Sequence, residues 1–175
     1  MHRHHRWSLA VSLLCAAASA AAQTPSGPAS AGLRELYTSN RRVVIAAAEQ
    51  MPEVDYGFKA TAEVRSFGQL IGHITNAQLN FCSAALGAAR PNRQDWEKTV
   101  AKAELVQALK DSFAFCDGAY EKLTDASGAE IVKVFGAERA RSFPLIYNLA
   151  HNNEHYGNIV TYLRLKGMVP PSSQR

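Results

Sequence analysis

The fold class this sequence predicts is all-α, a four-helix bundle, and three observations predict it. Apolar residues recur at three- and four-residue spacing along four long segments. Most of those segments are bounded by residues that start or stop helices. No stretch alternates apolar and polar with period two, so no sheet is expected. Four helices of roughly 20 residues in a chain of 175 residues fit one bundle around one core.

Before the bundle comes a leader. Met1-His2-Arg3-His4-His5-Arg6 is basic, Trp7 to Ala22 is apolar, and Ala20-Ala21-Ala22 precedes Gln23, the small-residue pattern of a cleavage site. About 16 apolar residues fall short of the roughly 20 that a membrane span needs. A lipoprotein site at Cys15 is disfavoured because the Leu14 side chain before it is too large. Residues 1–22 are therefore expected to be a cleavable signal peptide, 23–32 a flexible lead-in and 33–175 the bundle. The mature protein is expected to be periplasmic or secreted, with no membrane attachment after cleavage. Losing Arg3 and Arg6 turns 19 basic residues into 17 against 15 acidic ones, so the net charge falls from +4 to +2. Without a basic stripe interleaved with aromatics, nucleic acid is not an expected partner.

The first helix reads from about Leu33 to Met51, with Leu33, Leu36, Tyr37, Val44 and Ala47 or Ala48 on its apolar face, and Pro52 ends it. In the loop that follows, Tyr56 and Phe58 are expected to turn inward. Ser66 and Gln69 form a capping-box pair that opens the second helix. Its buried face reads Phe67, Leu70, Ile71, Ile74, Gln78, Phe81 and Ala85, and Gly87 and Pro91 bracket its end. The third helix reads from about Lys102 to Leu123 through Leu105, Leu109, Phe113, Cys116 and Tyr120. A short helical turn is expected over Glu130 to Phe135. The last helix reads from Arg141 or Ser142 to about Lys166, with Pro144 tolerated in its first turn and Gly167 stopping it.

Six histidines occur in the chain, and His2, His4 and His5 belong to the leader. His73, His151 and His155 remain. His151 and His155, four residues apart, share one helix face, a spacing that lets two imidazoles reach one metal ion. On a helical projection they point away from an apolar cluster of Ile146, Leu149, Tyr156, Val160 and Leu163. They share a stripe with Asn148, Asn158 and Tyr162 in place of the Lys, Glu and Arg of a solvated face. The stripe therefore reads as the lining of a polar cavity, with His73 as the third candidate ligand.

Two stretches carry a family resemblance: Gly72-His73-Ile74-Thr75-Asn76-Ala77-Gln78, and His151 to Arg164 (H-x-x-x-H-Y-G…Y-L-R) followed by Lys166-Gly167-Met168-Val169-Pro170-Pro171. They resemble the DinB-like (DinB/YfiT) superfamily, from about Leu33 onward. The resemblance implies helices ordered up-down-down-up and a divalent metal ion, such as Zn, Ni or Fe, held by His73, His151 and His155. It further implies a metal-dependent enzyme acting on a small molecule, thiol transferase-like or hydrolase-like. The alternative is a non-catalytic metal- or ligand-binding bundle. A homodimer is an allowed assembly. Tyr162, Asn158 and Asn76 are candidates to support the ligands. Glu154 lies to one side of the stripe, so no general base is assigned.

Cys82 and Cys116 each stand 15 residues into their helices. In parallel helices they lie level. In antiparallel ones they are offset by about 9 Å. The 13-residue connection from Ala88 to Val100 spans up to about 43 Å, enough for the parallel arrangement and for a disulfide.

Overall fold

Pro28 opens the first helix, α1 (Pro28–Gln50), in a computed structural model that describes residues 27–174. The helix starts earlier than the sequence suggests, so residues 28–32 are helical and not a flexible lead-in. The reason is a cap supplied from far along the chain. The Asp125 carboxylate accepts the backbone N–H of Ser30 at 2.7 Å and of Ala29 at 3.3 Å, two first-turn amides that lack helical partners. Those hydrogen bonds hold the Asp125 carboxyl below its ordinary value. The expected signal peptide, residues 1–22, and residues 23–26 lie outside the described residues.

Three more long helices follow: α2 (Phe67–Leu86), α3 (Lys102–Lys122) and, after a short α4 (Asp125–Ala129), α5 (Phe143–Leu165). Side-chain contacts fix their directions. Lys102 and Lys110 near the start of α3 reach Glu49 near the end of α1, while Arg34 reaches the carbonyls of Tyr120 and Leu123. α1 and α3 are thus antiparallel. The Asn40 amide bonds to Asn153 and Gln50 to the Val169 carbonyl, so α5 runs with α1. α2 runs with α3, because Cys82 is bonded to Cys116 with a Cα–Cα distance of 5.3 Å while Gly68 lies against Leu105. The 15-residue connection from Gly87 to Ala101 returns the chain along the bundle, as parallel helices require.

The α2 start is as the sequence indicates. The Ser66 hydroxyl accepts the Gln69 N–H at 3.2 Å, and the Gln69 side chain accepts the Ser66 N–H at 2.9 Å. Ser66→Ala is expected to cost about 0.5–2 kcal/mol, read as a lower denaturation midpoint with an unchanged slope. The helix ends at Gly87, whose φ of 63° is left-handed and costs glycine little.

Two further segments differ from the sequence reading. The expected helical turn over Glu130 to Phe135 is displaced: α4 is capped by Thr124 and ends at Ala129. An antiparallel hairpin then follows, β1 (Ile131–Val134) with β2 (Ala137–Ala140), Val134 opposite Ala137. β-Branched Ile131, Val132 and Val134 suit a strand. Phe135 and Gly136 both take positive φ, 51° and 77°, as the tight two-residue turn demands.

The second difference lies on α5. Leu149 and Leu163 of the expected apolar cluster are buried, but Ile146 is exposed, and a stripe of Leu145, Asn148, Asn152, His155, Ile159 and Tyr162, spaced alternately by three and four, is buried beside them. The polar side therefore faces inward. Asn148 finds partners there: it donates to Gln78 Oε1 of α2 and lies 3.2 Å from the Tyr120 hydroxyl of α3, which donates to the Leu145 carbonyl. Leu36 of α1 is likewise exposed. Tyr56 is buried and Phe58 packs on the core, as expected.

Candidate metal centre

α2 and α5 run antiparallel, and His73 faces the pair His151 and His155 across their junction. The Nε2 atoms of His73 and His151 are 3.1 Å apart, as are those of His151 and His155. All three ligand nitrogens lie within 4.8 Å of one another. His155 is buried and the other two rings are half-buried. The sequence-predicted triad is therefore brought to one point.

Burial, with the neighbouring His155 and His73, pushes the His151 imidazole down to about 4. Burial and His73 push His155 down as well. Neutral rings offer lone pairs, and these lone pairs converge. His73 Nδ1 lies 2.6 Å from Glu97 Oε1. Burial alone would raise the Glu97 carboxyl, but hydrogen bonds from Arg65 and His73 outweigh it and hold the group below its ordinary value. The carboxylate is thus ionised and takes a hydrogen from His73 Nδ1, leaving Nε2 as an acceptor. One Nε2 hydrogen on His151 would then be shared between two acceptors, a weak arrangement. A divalent cation takes all three lone pairs. Two nitrogens about 2.0–2.1 Å from a tetrahedral zinc stand about 3.3 Å apart, close to the spacing found, so the residues fit a metal ion.

Glu97 is the residue that the sequence analysis missed. It lies in the connection after α2, in a 3₁₀ turn over Trp96–Lys98, where no helical periodicity marks it. Two features of α2 place it there. A side chain at Gly72 would collide with the Trp96 carbonyl and the Glu97 amide, so glycine lets the turn rest directly on the helix. One turn on, Asn76 Oδ1 accepts the Trp96 N–H at 3.2 Å and Arg90 Nη2 at 2.8 Å, and Asn76 Nδ2 donates to Asp95 Oδ1. Asn76 therefore touches no ligand; it holds the segment that carries Glu97. Arg65 Nε donates to Glu97 Oε2 at 2.9 Å, and the Tyr162 hydroxyl donates to the Arg65 carbonyl. Tyr162 acts through that pair. Asn158 alone of the three predicted supporting residues meets a ligand, with its amide 3.3 Å from His155 Nδ1. Its oxygen suits a ring that binds through Nε2, and a turned amide presents it.

Both Glu97 oxygens are engaged, so the carboxylate orients His73 and is not a free base. Glu97→Gln is expected to weaken metal affinity about 10–100-fold, measured by competition with a chelator, with little change in fold. Beside the triad a cavity of about 560 Å³ is lined by Arg65, Leu70, His155, Asn158 and Tyr162 among others. It leaves the centre open to a small molecule on that side.

Comparison with known proteins places the fold in a family. The profile of the DinB superfamily matches residues 36–159. The chain belongs to the DinB superfamily. Solved structures show the same fold. A DinB-like protein from Bacillus cereus superposes with a TM-score of 0.71 at 16% identity, over 81% of this chain and 95% of its own. One from Bacillus subtilis gives 0.65 at 23% identity, over 82% and 99%. A conserved protein from Enterococcus faecalis gives 0.64 at 14%, over 80% and 98%. No curated protein matches the chain. This DinB-superfamily fold thus presents a histidine cluster able to coordinate a metal ion. Among the described residues, no helix is long and apolar enough to cross a membrane.

Proposed function

We propose that this DinB-superfamily protein is an exported metalloprotein whose His73, His151 and His155 hold one divalent ion. In this reading it works as a metal-dependent enzyme on a small molecule, transferase-like or hydrolase-like. The observation that carries the reading is the meeting of three Nε2 atoms beside an open cavity, with His73 fixed from behind by Glu97. When bound, a divalent ion supplies Lewis acidity that activates a water or thiol or polarises a carbonyl. The chain's own residues do the positioning. Glu97 keeps the His73 hydrogen on Nδ1, Arg65 anchors Glu97, and Asn158 steadies His155. The buried face of α5 closes the site from the core, and the cavity beside His155 gives the centre room for a small molecule. Three imidazoles suit zinc, nickel and iron alike.

Export is supported by the leader pattern of residues 1–22 and by the Cys82–Cys116 pair, a bond that oxidising compartments preserve. One observation favours the alternative of a non-catalytic binding bundle: the carboxylate nearest the triad is fully engaged and not available as a base. The test is turnover of thiols with small electrophiles, and of hydrolysable esters and amides, by protein purified from the exported fraction. Activity that a chelator removes and zinc or nickel restores supports the enzyme. Metal-replete protein without turnover supports the binding bundle, and protein that takes up no divalent metal overturns the enzyme and the metal-binding form of the bundle alike.

A further inference from the structure

Next to the histidine cluster, on the side away from Arg65, lies a recess of about 330 Å³ walled by Phe81, Phe135, Phe143 and Tyr147, with Arg139 at its rim. Its rings are ordered against each other. Phe81 stands edge-to-face to Phe135 at 5.8 Å and to Tyr147 at 5.2 Å, and Phe143 stacks on Tyr147 at 5.9 Å. Phe81 also meets the His151 ring at 5.6 Å. The recess and the candidate metal centre therefore share a wall.

Two features are costly for a merely structural patch. Phe135 and Tyr147 are each about half exposed, and clustered exposed aromatics usually mark a binding surface. Phe135 also sits at φ 51° at the hairpin tip, a conformation that Asn or Gly adopts with less strain. A phenylalanine there aims its ring at Phe81. The third feature is charge. The Arg139 guanidinium lies 4.5 Å from the Phe143 ring centre and, among the described residues, has no carboxylate or hydrogen-bond partner. A cation stacked on a ring with its N–H groups unspent is set to receive an anion.

We infer that this recess binds a planar aromatic group bearing a carboxylate, with the rings taking its face and Arg139 its charge. The inference rests on the proposed metal site only for what it adds there, namely the substrate class: an aromatic or conjugated acid whose other end reaches the centre past Phe81. The binding itself needs no metal, which makes the two readings separable.

The experiment titrates trans-cinnamate, with cinnamamide as its uncharged counterpart, into metal-free and zinc-loaded protein, followed by calorimetry and by NMR of the aromatic resonances. The expected result is saturable binding with both forms, shifts at Phe81, Phe135 and Tyr147, and at least a roughly tenfold preference for the acid over the amide. Arg139→Gln should abolish that preference while leaving residual binding of the ring. Phe135→Asn should weaken both ligands several-fold while keeping or raising thermal stability, since Asn suits the turn better; a folding defect therefore cannot imitate the result. Cinnamate that binds only when zinc is present, with shifts confined to the histidines, would overturn the inference and leave the metal site standing. Saturable binding to protein that takes up no zinc would uphold the recess and sink the metal reading. Equal affinity for acid and amide, or no binding at millimolar concentration, also overturns the inference.

Discussion

His151→Ala is expected to yield a folded protein that no longer retains a divalent ion through dialysis, whereas the wild-type chain retains about one per triad. His151 stands between the other two ligands, with its Nε2 3.1 Å from each. Its removal breaks the cluster at its centre. The loss in affinity should exceed the roughly 10–100-fold expected for changes behind the ligands. Elemental analysis and competition with a chelator check it. Glu154→Ala is the control: that side chain is exposed on the same helix, and metal content should be unchanged. The metal-free forms should also differ in acid. The His151 imidazole falls from 6.5 to about 4 on folding, so the unfolded chain binds more protons between those values. The stability tied to its neutral form is complete above about 6.5 and is lost as pH falls toward 4. His151→Ala removes that ionisation, so its metal-free stability should fall less steeply over the same window. An identical acid transition would show that His151 is not desolvated in the fold.

Replacing both Cys82 and Cys116 with alanine should produce the largest stability loss short of core truncation. The bond closes a loop of 34 residues, for which the chain-entropy account gives roughly 3–4 kcal/mol. It also clamps the parallel pair α2 and α3, which no short turn holds together. Cys116 Sγ lies 3.4 Å from the Gln78 carbonyl, and Gln78 in turn receives Asn148 of α5. Loosening this seam should therefore reach the helix that carries His151 and His155. A denaturation midpoint shifted by less than about 1 kcal/mol equivalent would contradict this assignment. Metal affinity should fall in parallel, though by less than in His151→Ala, because all three ligands remain.

The four long helices were legible because their determinants are local: apolar residues at helical spacing, the Ser66–Gln69 box, Gly87, and Pro144 in a first turn. Each acts within a turn or two of its own position. The hairpin escaped because four-residue strands carry little alternation, and its turn is made by Phe135, a residue type that rarely takes positive φ. The polar stripe of α5 was legible in part. Asn148, His155 and Tyr162 read as the lining of a polar cavity and are buried, whereas Asn152, buried beside them, carried no such signal. The partners that hold Asn148 inward, Gln78 and Tyr120, are remote in sequence.

The candidate site divides along the same line. Sequence by itself determined the family resemblance and the three histidines, since only His73, His151 and His155 lie beyond the first 22 residues, two of them one helical turn apart. Tertiary structure decided what stands behind and beside them. Glu97 reaches His73 because Gly72 lets a distant loop lie on the helix and Asn76 ties it there, and the aromatic recess forms because a hairpin lays Phe135 on Phe81. Periodicity and capping report on neighbours within a turn or so. Contacts between segments dozens of residues apart leave no such trace, and only the packed chain brings them together.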